Sequence, residues 1–441
     1  MVRGRLIAAI VLFLPGILSA QEFLTLQGRV TDDSTGKPLP FALVSLSGTT
    51  TGTVTNEDGV FRLRIPDAEA NRRSRETGTR FPDGGLPDSL GISFLGYQTL
   101  RIPWNASDTG FRSISLKPVS LNLREVEIIA LTPEEVLKRA FDSIPVNYGT
   151  DSLILTAFIR TQKNVNGKLA EFTEAVVENL KDGYYFYKPG EAGAKHKASN
   201  IPCLFKGRVT SDTNLVNKLG DAGANARCLG CNFVTDIAEF PYGTILDARD
   251  HKHYGLKLKE LINPEGGKIY QIRFDQTEKT GKMLYQGEIL IESRHFAILR
   301  ISYKPSFKAF EAYEKTKYSR TWFLNDTPGW IQEMPLGETV ITYSKRGPFW
   351  CLSTIRNQYW ITFYQPELRQ KLNYGYKNEV IVTDITRDPD AIGSFRGDKS
   401  IGVNQRWDQV VGDPDDRFWG NFNFLPVEEQ LRNELDKRTG D

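Results

Sequence analysis

The chain is poor in the residues that most often carry chemistry: 441 residues include four histidines, four cysteines and three methionines. His196, His251, His253 and His295 form neither H-E-x-x-H nor H-x-x-E, so the zinc constellation of a metallopeptidase is excluded. His251 and His253 could share one face of a strand, but a ligand set needs a further donor, and a solvated loop explains the pair. The elbow G-x-S-x-G is missing too, since the run from Gly91 to Gly96 holds one residue too many. Ser34 and Lys37 have S-x-x-K spacing but lie on a turn, and Asn56, Asp58 and Gly59 resemble a calcium loop whose first carboxylate position holds Val54. An excess of either charge is lacking as well: 56 basic side chains stand against 54 acidic ones, and Arg3 and Arg5 account for the difference. A nucleic-acid or anionic-membrane partner would call for a basic excess on some face, so neither is expected. The dense basic run Arg72-Arg73-Ser74-Arg75 reads as a solvated loop.

Long apolar runs are confined to the start of the chain. Arg3 and Arg5 precede the thirteen residues Leu6 to Leu18, and Leu18-Ser19-Ala20 supplies the small residues of a cleavage site. A helix of that length rises only about 20 Å, against a hydrocarbon core of roughly 30 Å. Residues 1–20 are therefore expected to be a removable signal peptide and not an anchor. No cysteine stands directly after the cleavage region, so lipid anchoring is not indicated, and no later stretch suits a transmembrane span. The expected location is the periplasm or the periphery of the outer membrane.

Next comes a series of short apolar runs punctuated by glycine. Phe41 to Leu46 and Val60 to Ile65 are separated by Gly48, Gly52 and Asp58-Gly59, with an earlier turn at Gly36-Lys37-Pro38. Gly91 to Leu100 and Phe111 to Leu116 add further strands, and this spacing predicts a β-sandwich. The blocks G-x-V-x-D, G-x-P-L-P-x-A-x-V-x-L-x-G-T, T-G-T-x-T-x-x-D-G-x-F-x-L and I-S-F-L-G-Y resemble the carboxypeptidase-like regulatory domain, a transthyretin-like sandwich, over residues 21–118. The resemblance implies an accessory module of bacterial envelope proteins, not the catalytic part of a carboxypeptidase. Residues 68–87 depart from the pattern and read as a polar surface loop.

Residues 119–131 form a connector, and a helix is predicted after it. Thr132 suits the N-cap, Pro133 the first turn, and Glu134 and Glu135 the positive end of the helix dipole. Val136, Leu137, Ala140, Phe141 and Ile144 make one apolar face, and Pro145 ends the helix. Alternating runs dominate from Leu153 onward: Leu153 to Arg160, Phe172 to Asn179, Ile269 to Phe274, Tyr285 to Glu292, Phe296 to Tyr303, Val340 to Tyr343, Cys351 to Phe363 and Glu379 to Ile385. They predict an antiparallel meander with one buried face, and Asn166-Gly167 marks a hairpin. The blocks Ala157 to Arg160, Glu174 to Val177, Gly287 to Tyr303, Val382 to Ile385 and Arg417 to Phe422 resemble envelope proteins that couple the regulatory domain to a curved, LolA-like sheet. That resemblance implies a half-barrel over residues 132–425 with helices on its concave side. Residues 188–241, rich in Gly, Ala and Asn, read as an insertion or irregular lobe, and residues 426–441 as a polar C-terminal helix. The expected fold class is thus mainly β, a transthyretin-like sandwich followed by a larger α+β domain with a curved antiparallel sheet.

Cys203, Cys228, Cys231 and Cys351 are candidates for disulfides in an oxidising compartment, with free thiols or a C-x-x-C metal or redox site as alternatives. Acidic pairs such as Glu134-Glu135, Asp415-Asp416 and Glu428-Glu429 fall on solvated faces, while Asp384 and Glu288 could face a cavity. Tyr184-Tyr185-Phe186-Tyr187, Trp322-Phe323, Phe349-Trp350, Tyr359-Trp360 and Phe418-Trp419 either fill the core or line a lipid or glycan cavity. With no catalytic constellation and no call for a cofactor, the expectation is a non-catalytic envelope protein that holds a lipid or a protein partner. The alternative is an envelope hydrolase whose site, including His295, is assembled only by the fold.

Overall fold

The computed structural model describes residues 23–66, 89–104, 110–119, 131–184, 200–212, 214–215, 236–241, 243–262, 267–277, 284–310, 331–333, 335–395, 416–420 and 422–439. The leader, the loop at 68–87, all but the ends of the connector, and Cys228 with Cys231 lie outside these residues.

Seven short strands build the N-terminal module: β1 (Phe23–Asp32), β2 (Leu43–Leu46), β3 (Gly52–Val54), β4 (Val60–Pro66), β5 (Ser89–Ser93), β6 (Leu100–Pro103) and β7 (Phe111–Leu116). They form two sheets, ordered β4-β1-β7 and β3-β2-β5-β6, in which β1 and β7 run parallel. Leu24, Leu26 and Val30 of β1 meet Phe61, Leu63 and Ile65 of β4 and Val44, Leu46, Leu90 and Ile92 of the facing sheet, which makes the sandwich core. β1 and the end of β7 place every second residue inside, as the period of two requires. The Ser34 turn is held by Asp32, whose Oδ1 accepts from the Ser34 and Thr35 amides while Oδ2 accepts from the Tyr97 hydroxyl at 2.6 Å.

The second module opens with α1 (Pro133–Asp142) and α2 (Ile144–Tyr148). Thr132 is the N-cap, as the sequence implies, and it forms a reciprocal capping box with Glu135. Eleven strands follow: β8 (Leu153–Val165), β9 (Lys168–Lys181), β10 (Asn200–Ser211), β11 (Tyr254–Ile262), β12 (Lys268–Gln276), β13 (Tyr285–Glu292), β14 (Ile298–Pro305), β15 (Ile331–Gln332), β16 (Leu336–Arg346), β17 (Phe349–Gln365) and β18 (Gln370–Thr386). The described chain ends with α3 (Pro389–Gly393) and α4 (Glu429–Thr439). The strands make one curved, open antiparallel sheet ordered β10-β9-β8-β18-β17-β16-β14-β13-β12-β11, with β15 on the far part of β17. Apart from the two-residue β15, which pairs with β17 while β14 pairs with β16, neighbours in space are neighbours in sequence except at one seam, where the last strand, β18, pairs with the first, β8. Asn166 and Gly167 both have positive φ, as the tight turn between β8 and β9 demands. Residues 200–211, inside the stretch read as an irregular lobe, form edge strand β10.

The sheet's two faces are distinct. On the inner face, defined here by the helices, Val136, Leu137, Ala140, Ile144 and Tyr148 pack with Ile237, Ala238, Ile245 and Leu246 onto side chains from nearly every strand. On the outer face, Val54 of the sandwich joins Phe158, Val176, Ile381, Trp419, Phe424 and Leu425 in a second cluster, so Trp419, Phe424 and Leu425 lie between the modules.

Candidate functional site

Register explains which side chains meet on the outer face. Arg208, Glu174, Arg160, Glu379 and Arg356 are successive cross-strand partners on β10, β9, β8, β18 and β17, a row of alternating charge beneath the sandwich. Arg160 is fully buried; its Nη2 donates to Glu174 Oε1 at 2.6 Å and to the Leu425 carbonyl, and its Nη1 lies 3.3 Å from Glu428 Oε2. Arg208 Nε donates to the other Glu174 oxygen at 2.6 Å. Arg356 ends the row with its guanidinium 3.9 Å from the centre of the Phe41 ring, and Phe41 reaches it from a left-handed backbone with φ 62°. Thr50 Oγ1 donates to Asp384 Oδ1 at 2.6 Å, Lys377 Nζ to Glu57 at 3.0 Å, and Asn56 Nδ2 to the Pro426 carbonyl at 3.1 Å, so polar bonds accompany the apolar cluster around Val54. Asp384 thus faces the sandwich, not a cavity. The Asn56-Asp58-Gly59 turn, which mimics a calcium loop, is a docking point.

Glu379 is the strained member of the row. It is buried, Lys377 Nζ lies 3.1 Å from its Oε1, and neither oxygen receives a well-formed hydrogen bond. Burial pushes its carboxyl above the usual range, and Lys377 and Arg160 offset this only in part. A carboxyl with a raised folded-state pKa holds its proton more tightly in the folded than in the unfolded chain. Its charged form therefore costs stability at neutral pH, and the cost fades as pH falls through the folded-state value. Glu379→Gln is expected to be at least as stable as the parent at pH 7, with the difference shrinking toward pH about 4.5. Urea unfolding across that range measures it, and a less stable variant at pH 7 would show that the ion pairing outweighs burial.

The inner face is zoned. One cross-strand row, Leu258, Ile272, Ile289, Ile301, Ile341, Ile355, Val380, Ile159 and Ala175, is apolar throughout and packs in the helix-covered core. The next row on the same face begins Leu256, Phe274, Gly287 and then becomes polar: Tyr303, Thr339, Asn357, Asn378, Thr161 and Thr173. Thr339 Oγ1 donates to Asn357 Oδ1 at 2.9 Å and accepts from the Tyr359 hydroxyl at 2.5 Å, while Thr161 Oγ1 donates to Asn378 Oδ1 at 3.0 Å. Asn378 is fully buried and its Nδ2 has no partner. A third row holds Tyr359, Tyr376, Lys163 and Glu171, with the last two in a buried ion pair at 2.6 Å. Burial pushes the Tyr303, Tyr359 and Tyr376 hydroxyls above the usual phenol range, so all three stay protonated. Tyr285 stands edge-on to Tyr303 at 5.2 Å and is 45 % exposed. A side chain at Gly287 would strike the Ser302 carbonyl and the Phe274 ring, so glycine lets Phe274 and Tyr303 approach across β13.

A charged cluster also lies in the helix-covered zone. Lys181 Nζ sits 2.9 Å from Asp236 Oδ2, 2.8 Å from Glu239 Oε2 and 3.6 Å from the centre of the Tyr184 ring, and the Tyr343 hydroxyl donates to Asp236 Oδ1 at 2.6 Å. All of these groups are buried, and they fasten residues 236–239 to the sheet. Near β12 to β14 is a recess of about 250 Å³ lined by Arg273, Gln286, Tyr303 and Lys304 among others. Small-molecule pockets begin at roughly 300 Å³, so this recess does not by itself make a site.

The residues singled out from sequence are scattered. Cys351 is a buried free thiol on β17, so it forms no disulfide; its side chain packs into the helix-covered core. Cys203 is buried on β10, and no disulfide joins it to Cys351. His251 and His253 occupy a single 3-10 turn, where His251 Nε2 bonds the Ile245 carbonyl at 2.9 Å. His295 Nδ1 is 3.0 Å from Glu292 Oε2, but on the exposed turn between β13 and β14 and not in a cleft. Glu288 accepts from Gln271 at 2.6 Å and lies 3.3 Å from the Arg273 guanidinium, on the outer face. Among the described residues no group of three or more His, Cys, Asp or Glu side chains is placed to hold a metal. Sequence reasoning missed the polar row, because its members sit singly on six strands. It also missed the charge row, although Arg160 ends and Glu174 opens a block of small and apolar residues quoted above.

Residues 26–72 match the CarboxypepD_reg-like domain, within the N-terminal sandwich. No curated protein matches the chain. A solved structure of a DUF1329 family protein from Desulfovibrio piger is similar over 58 % of this chain and 94 % of its own, at 12 % identity and a TM-score of 0.24. Among the described residues, no helix is long and apolar enough to cross a membrane.

Proposed function

We propose that this protein is a non-catalytic component of the bacterial cell envelope that holds a ligand on the inner face of its large sheet. The observation that carries the proposal is the change of character along that face, from apolar rows covered by α1, α2, Ile237, Ala238, Ile245 and Leu246 to a band of phenols, amides and hydroxyls. Within the band Thr339, Asn357, Asn378, Thr161 and Thr173 are buried, and Tyr376 packs in an apolar cluster with Leu215. The charged clusters are engaged elsewhere: the Arg160 row docks the sandwich and the Lys181 cluster fixes the core, so both serve the scaffold. The leader expected at residues 1–20 and the regulatory-like match at residues 26–72 support an envelope location. Lipid cargo is favoured by the apolar rows and disfavoured by their coverage with the chain's own side chains.

The test is a panel of peptide, ester and glycan substrates, with and without added zinc, run alongside native mass spectrometry of the purified full chain. Expected are no turnover and a small molecule retained by the folded protein. Turnover that follows the folded protein through purification would overturn the proposal in favour of a hydrolase.

A further inference from the structure

We infer that strand β11, the free edge of the large sheet, is a docking site for an extended acidic segment of a partner protein, which pairs with it as one further strand. The inference concerns a protein partner and does not depend on the inner-face ligand proposed above.

The sheet is open, so it has two edges, β10 and β11, and they are finished differently. A bare edge presents unpaired main-chain groups to any passing strand, and proteins blunt such edges with proline, bulges, charge or a covering segment. β10 is blunted in several of these ways. It contains Pro202, its register shifts between Leu204 and Lys206, Lys206 Nζ donates to the Phe418 carbonyl at 2.8 Å, and the Phe205 ring lies 5.7 Å from that of Phe422. β11 has no proline and no bulge, and it holds unbroken register with β12 from Tyr254 opposite Gln276 to Ile262 opposite Lys268.

The direction of its main-chain groups follows from the neighbouring strands. The Lys268 carbonyl accepts from the Ser293 amide, so Lys268 and every second residue after it bond toward β13, and Ile269, Gln271, Arg273 and Asp275 bond toward β11. Their partners there are Leu261, Lys259, Lys257 and Gly255, and the bond from the Thr277 amide to the His253 carbonyl continues the same alternation. Leu256, Leu258 and Glu260 therefore turn N–H and C=O away from the sheet. Among the described residues no main-chain group outside the sheet bonds them.

Side chains decide what can pair there. On the outer face Lys257 and Lys259 are exposed, and among the described residues neither forms an ion pair, because the nearby acids are engaged: Glu288 with Arg273, Asp275 with Lys308 and Glu260 with Lys268. On the inner face Leu256 and Leu258 are half-buried at the margin of the helix-covered core. A second copy is a poor occupant. The antiparallel registers that set Leu258 against Leu256, Leu258 or Glu260 of another β11 each place a lysine opposite a lysine, and like charges directly opposite destabilise a pair. A strand with acidic residues opposite Lys257 and Lys259 and apolar ones opposite Leu256 and Leu258 meets both faces, while the main-chain bonds supply affinity.

The experiment presents the full chain with three labelled peptides of nine residues, the length of β11. One alternates valine with glutamate, one alternates valine with lysine, and one is the glutamate peptide N-methylated at every second amide. Fluorescence anisotropy reads binding, and hydrogen exchange reads the β11 amides. The glutamate peptide is expected to bind at least about tenfold more tightly than either of the others and to slow exchange at Leu256, Leu258 and Glu260. Lys257→Glu combined with Lys259→Glu, both at exposed positions, is expected to keep the melting temperature and to shift the preference to the lysine peptide. Failure of the glutamate peptide to bind, or binding that the double variant leaves unchanged, would overturn the site. Slowed exchange along Cys203 to Ser211 instead would overturn the choice of edge. Protection of Leu256, Leu258 and Glu260 that grows with protein concentration and needs no peptide would overturn the acidic partner in favour of a second copy.

Discussion

Arg160→Ala is expected to lose about 3–5 kcal/mol of folding stability, the largest effect of any single charge removal on the outer face. The wild-type guanidinium is fully buried and bonds Glu174 and the Leu425 carbonyl while facing Glu428 and Glu379. Removing it leaves carboxylates in the interface without their central counter-charge, and such groups cost far more unpaired than the pair itself contributes. Denaturant unfolding measures the loss. Glu174→Ala combined with Arg160→Ala completes a double-mutant cycle, which should show strong coupling because each residue holds the other. The exposed Lys138 and Asp142 pair on α1 is the control, and breaking it is expected to change stability very little. A loss for Arg160→Ala no larger than that of the control would mean that water reaches the row and that the modules are not sealed together.

Trp419→Ala is expected to cost about 3–5 kcal/mol as well, by a different route. The indole is fully buried, edge-on to Phe158 at 5.5 Å, stacked on Phe424 at 6.0 Å, with the Arg208 guanidinium 5.2 Å from its centre. It fills the space between the sheet and the chain segment that carries Asn423, whose side chain exchanges two hydrogen bonds with the Arg64 backbone at 2.7 and 3.2 Å. Truncation therefore removes packing from three partners at once, and the sandwich loses its cushion. Calorimetry should show one cooperative transition splitting into two, with the N-terminal module separating from the larger sheet. A single transition shifted to lower temperature would mean that the polar contacts at Thr50, Asn56 and Glu57 hold the modules together unaided.

The sandwich was legible because its signals are local. Asp58-Gly59, Gly36 and the alternating runs each specify a turn or a strand within a few residues, and the structure places them so. The N-cap at Thr132 and the Asn166-Gly167 turn were legible for the same reason. The site was not. Asn357 and Asn378 are 21 positions apart and become neighbours only because β17 and β18 pair in one register, while Thr161 joins them across the seam between the last strand and the first. No spacing in the sequence announces such a row. The apolar face of each strand can be read from alternation, but the point along the strand at which it turns polar has meaning only beside its neighbours. β10 was overlooked because Asn200 to Ser211 mixes Pro, Gly, Lys and Arg with its apolar residues, as an edge strand carrying part of the ion row would.

The pairing of β18 with β8 also dictates an order of assembly. As the chain is made, β8, β9 and β10 can form one ribbon and β11 to β17 another, yet neither acquires its missing neighbour until Gln370 to Thr386 emerges. That strand closes a loop of more than two hundred residues, a slow step because the entropy of bringing distant segments together is spent before their contacts form. Until then each half carries an open hydrogen-bonding edge, the form most prone to pair with another chain. A nascent molecule of this protein is therefore most in need of a chaperone late in its synthesis, and a chain cut short before Gln370 should aggregate rather than fold in part.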